Sequence, residues 1–152
     1  MSQPKIFIGS SSEGIRIADG IETNLEYDCT SYKWSNVFKS GMSNLENLIK
    51  VLEDMDFAAF VFSPDDVLKM RGTIYSAARD NVIFELGLFM GLLGRERTFI
   101  IHPKNQTNFH LPSDLNGIGI LQYNESQTNY KIKTSIICNE IRDIVTKLGK
   151  KN

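Results

Sequence analysis

Residues 78–94 read ARDNVIFELGLFMGLLG, and from position 81 onward Glu85 is the only ionisable residue. A helix that is apolar on every side is largely buried. A carboxylate inside it is desolvated unless it is paired or faces a cavity, which flags a site where acid–base or electrostatic chemistry is done. Asn81 lies four residues earlier on the same face, and Asp80 adjoins it. Two readings stand side by side. Glu85 is a catalytic carboxylate at a cleft, or it is a structural one paired with an arginine such as Arg79. Gly87 and Gly91, four apart, allow this helix to approach another backbone closely.

The stretch GSSSEG at residues 9–14 follows a short apolar run. The hydroxyls of Ser10 and Ser11 and the local N–H groups suit a diphosphate at a helix N-terminus. They equally suit an ordinary cap, with Ser10 and Glu13 at capping-box spacing. The stretch is neither a Walker loop nor a GxGxxG fingerprint. Trp34, the only tryptophan, and Phe38 offer rings that could stack on a nucleobase or nicotinamide, or simply anchor a loop in the core. Lys69 and Arg71 offer charge near a phosphate or, as such residues usually do, solvate the surface, and Asp65-Asp66 after Ser63-Pro64 read first as a turn, with a ribose contact as the weaker alternative. His102 and His110 have no nucleophile or metal partner at a recognisable spacing, so both are assigned structural roles and no metal site is expected. No G-x-S-x-G elbow is present.

The elements that must position these groups follow from periodicity. Strands are expected at residues 5–9, 27–33, 56–62, 98–101 and 118–123, the fourth stopped by His102-Pro103. Helices are expected where apolar residues recur at three and four. One carries Ile17, Ile21 and Leu25, and another Leu45, Leu48, Ile49 and Leu52. A third covers 81–94 with Asp80 as its cap, and a last covers 131–148 on a stripe of Ile137, Ile141, Ile144, Val145 and Leu148. Strand and helix alternate about five times, which predicts an α/β fold with a parallel sheet and helices on both faces. Ligands in such sheets sit past the carboxyl ends of the strands.

A chain of 152 residues fits one domain, 1–152. A net charge of −1 gives no general attraction to nucleic acid or an anionic membrane. Cys29 and Cys138 lie far apart and cannot make a disulfide framework, so a reduced, cytoplasmic setting is expected. The first residues lack a signal-peptide layout, and no apolar run is long enough to span a bilayer.

Four segments together resemble the bacterial TIR-like domains of anti-phage defence: KIFIGSSSEG (5–14), DFAAFVFSPDD (56–66), RDNVIFELGLFMGLLGRER (79–97) and LPSDLNGI (111–118). The likeness covers nearly the whole chain and is greatest to the N-terminal TIR domains of bacterial STING effectors of CBASS. It implies a flavodoxin-like TIR fold and an NAD+ nucleosidase, a hydrolase of the nicotinamide–ribosyl bond, for which NAD+ is substrate and no cofactor is required. It implies that Glu85 is catalytic, that Trp34 and Phe38 border the nicotinamide, and that Ser10 and Ser11 lie beside the nucleotide. Arg79 and Asn81 match the lead-in to the catalytic helix. It further implies self-association with other TIR domains and a cyclic-dinucleotide sensor, such as STING, outside these 152 residues. The alternatives are a nucleoside 2-deoxyribosyltransferase-like enzyme and a non-catalytic TIR scaffold.

Overall fold

Five short runs pair side by side, every pair parallel: β1 (Lys5–Ser10), β2 (Thr30–Lys33), β3 (Phe57–Val61), β4 (Thr98–Pro103) and β5 (Ile120–Tyr123), in the spatial order β2-β1-β3-β4-β5. The computed structural model describes residues 2–10, 14–33, 44–62, 77–104 and 119–152, with backbone alone for residues 44 and 77–81. Between the strands lie α1 (Ile15–Asn24), α2 (Asn44–Asp54), α3 (Ala77–Leu93) and, closing the chain, α4 (Tyr130–Leu148). The α/β fold expected from the alternation is therefore present. The strand order reverses at β1 and β3, the switch point where sheets of this topology take ligands.

Alternation along each strand splits the core into two layers. Ile6, Ile8, Ala59, Val61 and Ile101 face α1 and α4. Phe7, Ala58, Phe60 and Ile100 face α2 and α3. β3 is buried at all five positions, which explains its uninterrupted apolar run. β2 is an edge strand of intermediate burial, shorter than expected because Tyr27 and Asp28 belong to the preceding turn.

Three boundaries correct the sequence reading. Ser10 does not cap α1. It is the last residue of β1, paired with Val61, and the cap is Gly14 without a side-chain hydrogen bond. Asp80 does not cap α3 either. The helix starts three residues earlier, since Ala77 and Ala78 extend it at little cost. β4 continues through His102 to Pro103, because pairing with β5 persists to Tyr123 and a proline at a strand's end gives up no needed donor.

Candidate functional site

Because β3 and β4 are parallel, α3 between them must run back against the strands, with its N-terminus at the carboxyl edge of the sheet. Phe89 fixes its depth. Its ring stacks on Phe7 at 4.5 Å and meets Phe60 edge-on at 5.5 Å. Glu85 lies four residues earlier, about 6 Å nearer the carboxyl edge at 1.5 Å per residue. Two strand residues span about the same distance. Glu85 is thus about level with the carboxyl ends of β1 and β3, at the registered pair Ser10–Val61, one step beyond the registered Gly9, Phe60 and Ile100.

Glu85 is 3% exposed. Burial is what pushes its pKa from 4.5 to about 8, and among the described residues no ion pair or hydrogen bond offsets that. An acid in this state is neutral at pH 7 in the free protein. It ionises when a positive charge enters its surroundings. The arginine alternative for Glu85 rests on the side chain of Arg79, which lies outside the described residues, as does that of Asn81; their backbones form the first turns of α3.

Gly9 is required by close approach. A Cβ there would stand 3.0 Å from the Phe60 ring, its registered partner on β3, and 3.1 Å from Phe7. The Phe60 ring therefore lies across β1 beneath the level of Glu85. Ser10 points the other way: a Cβ on Gly14, at the start of α1, would touch the Ser10 Cβ at 3.4 Å. Ser10 and Glu85 thus share the carboxyl edge but flank it on opposite faces. His102 is buried, which lowers its pKa and keeps it neutral; its Nδ1 lies 2.8 Å from the Pro103 carbonyl. The Tyr123 hydroxyl donates to the Phe62 carbonyl at 3.3 Å, tying the ends of β3 and β5 across β4.

Ser11, Trp34, Phe38, Lys69, Arg71, the Asp65-Asp66 pair and His110 lie outside the described residues. Phe62 lies on the α3-facing side just past β3, where extending the two-residue alternation from Phe60 reaches it. Among the described residues no cluster of three or more His, Cys, Asp or Glu could hold a metal, and no helix is long and apolar enough to cross a membrane.

The family model for the TIR domain of CAP12/Pycsar effector proteins matches residues 5–125. A Pycsar effector protein of Pseudomonas aeruginosa is 43% identical over 150 residues, which is 96% of this chain and 48% of that protein. A CD-NTase-associated protein 12 of a Lachnospiraceae bacterium is 40% identical over 134 residues, 86% of this chain and 41% of that protein. The chain spans about half the length of these curated relatives or less. A prokaryotic SEFIR domain superposes with a TM-score of 0.57 at 14% identity, covering 94% of this chain and 92% of that one, a likeness of fold.

Proposed function

Since the chain belongs to the TIR-domain family of CAP12/Pycsar effectors, we propose that it cleaves the nicotinamide–ribosyl bond of NAD+ and that Glu85 is the carboxylate that does so. The observation that carries this reading is a glutamate 3% exposed, its pKa raised to about 8 by burial, level with the carboxyl ends of β1 and β3 at the topological switch point.

The chemistry suits such a group. Nicotinamide in NAD+ is already cationic, so it leaves as a neutral molecule without a strong general acid. Its departure builds positive charge on the ribose, as in oxocarbenium-like glycosidase transition states. A carboxylate held in a dry site stabilises that charge far more than one in water. The cationic ring itself draws Glu85 into its ionised form, so the substrate creates the charge that its transition state needs. Water then captures the sugar. NAD+ is substrate throughout, and no metal takes part in any step.

In this reading the backbone and hydroxyls of Ser10 and Ser11 hold the diphosphate, Trp34 and Phe38 border the nicotinamide, and Arg79 and Asn81 orient the ribose side of the site. The relatives are named a Pycsar effector and a CD-NTase-associated protein, which we read as a setting of cyclic-nucleotide-linked defence. We extend that to this chain as a cytoplasmic antiviral effector, switched on when copies cluster under the control of a cyclic-nucleotide-sensing region. A population that is mostly unassembled has low apparent activity even with an intact site.

The test is nicotinamide release at high protein concentration with a crowding agent, for the wild type and Glu85→Gln. Loss of turnover by at least about a hundredfold in the variant, with its fold intact, is expected. Equal turnover in both, or none in a wild type shown to be assembled, overturns the assignment. Deoxynucleosides in the same panel separate NAD+ cleavage from a deoxyribosyl transfer.

A further inference from the structure

Among the described residues, nothing rests on Gly87 and Gly91, which form an open floor. A Cβ added to either meets no atom within 4 Å. The close neighbour that two glycines four apart anticipate is therefore absent among the described residues. Above that floor α2 and α3 part into an open groove of about 370 Å³. Its walls are Ile49 and Leu92, which are 40% and 54% exposed, and Glu53 stands on its rim. An apolar helix left uncovered along one side marks an interaction surface.

The opposite face of the sheet carries the reverse shape. On α4, Ile132 and Ile136 are 56% and 64% exposed and four residues apart. They make a ridge with the spacing of the glycine floor. Ridges along i±4 rows seat in i±4 grooves. Lys131, exposed beside Ile132, is opposite in charge to Glu53.

We propose that the Ile132–Ile136 ridge of a second copy seats in the α2–α3 groove, with Ile132 over Gly91, Ile136 over Gly87, and Lys131 against Glu53. This antiparallel sense is the one that brings the two charges together, because Glu53 stands near the C-terminal end of α2, on the side of Gly91 and Leu92. The joined surfaces are unlike and lie on opposite faces of the sheet. Each copy keeps a free ridge or a free groove, so association proceeds past two. The proposal supplies the clustering surface that the proposed function calls for, and it rests on the assembly part of that reading rather than on its chemistry.

Sedimentation of the chain over a concentration series, with two variants, tests it. Gly91→Leu fills the groove at a site with free space around it, and Ile136→Glu breaks the ridge at an exposed position. Circular dichroism and melting confirm that both are folded. The wild type is expected to grow beyond a dimer with concentration, and each variant to associate at least about tenfold more weakly. Mixing the variants restores a one-to-one dimer, because one retains the ridge and the other the groove. A wild type that stays monomeric to about 1 mM overturns the proposal. So does a variant that assembles as the wild type does, which would point to pairing between like faces, and so does a mixture that stays monomeric. Nicotinamide release from the same samples reads the chemistry separately: assembly without turnover sinks NAD+ cleavage and leaves this contact standing.

Discussion

Glu85 ties the catalytic reading to pH. Burial places its free-state pKa at about 8. Because kcat/KM reports the free enzyme, its profile should rise with pH and level off with an inflection near 8. The inflection in kcat should lie lower, since the bound cationic ring favours the ionised acid. A flat kcat/KM between about pH 6 and 9 would contradict the role. The same shift acts on stability. The folded state holds the proton more tightly than the unfolded chain, whose value is near 4.5. The contribution of Glu85 is therefore most favourable below that value, falls as pH rises, and is constant above about 8. The loss is on the order of 5 kcal/mol. Urea unfolding across this range should show the slope in the wild type and not in Glu85→Gln, which becomes the more stable protein at alkaline pH. Glu85 was legible in the sequence because no other ionisable residue falls between positions 81 and 94. The facing of Ser10 was not, because it depends on β1 running one residue past Gly9 before the turn.

At the level of elements, the apolar runs and stripes located the five strands and four α-helices among the described residues, but not the short 3-10 turn at Arg95–Arg97. The other errors lay at the ends of these elements, where the sequence offers several polar residues and tertiary pairing chooses among them. Contacts between helices were also hidden. Gly20 attracted no notice in the sequence, yet it sits where α1 crosses α4. A Cβ on it would stand 2.6 Å from the Tyr130 carbonyl oxygen and 2.8 Å from the Thr134 hydroxyl. That hydroxyl accepts from Asn24 at 2.9 Å and donates to Tyr130 at 2.8 Å, and Arg142 binds Asp28 alongside at 2.8 Å. Gly20→Ala must push the helices apart and disturb this set of bonds. Overpacking of this kind costs about 1–3 kcal/mol. In a domain of this size a loss of about 3–10 °C in melting temperature follows, measurable by circular dichroism. A Tm unchanged or raised, as an alanine in an uncrowded helix would give, refutes the close crossing.

Across the whole molecule, the site and the chain ends occupy opposite edges of the sheet. Asp56 begins the third strand region at the amino edge and is buried. Its carboxylate accepts from the Lys5 backbone N–H at 2.8 Å and from the Lys151 backbone N–H at 2.9 Å. Arg97 completes the clamp: it donates to the Gly149 carbonyl at 2.8 Å and the Leu148 carbonyl at 3.4 Å while its guanidinium covers the Phe57 ring at 4.9 Å. The residues after α4 are thus tied to β1 and β3 at the edge away from Glu85. Asp56→Ala removes both carboxylate acceptors and leaves two backbone donors without them. Leaving a buried donor unsatisfied costs about 1–3 kcal/mol, so global stability should fall by a few kcal/mol. Amide exchange should accelerate first at Lys5 and Lys151, with protection in β3 and α3 falling only by the global amount. Nicotinamide release per folded molecule should stay unchanged, since nothing in the clamp reaches the carboxyl edge. If exchange at Lys151 is as fast in the wild type as in the variant, the clamp does not form in solution. If the variant keeps its stability but loses turnover, the two edges are coupled and their separation is wrong.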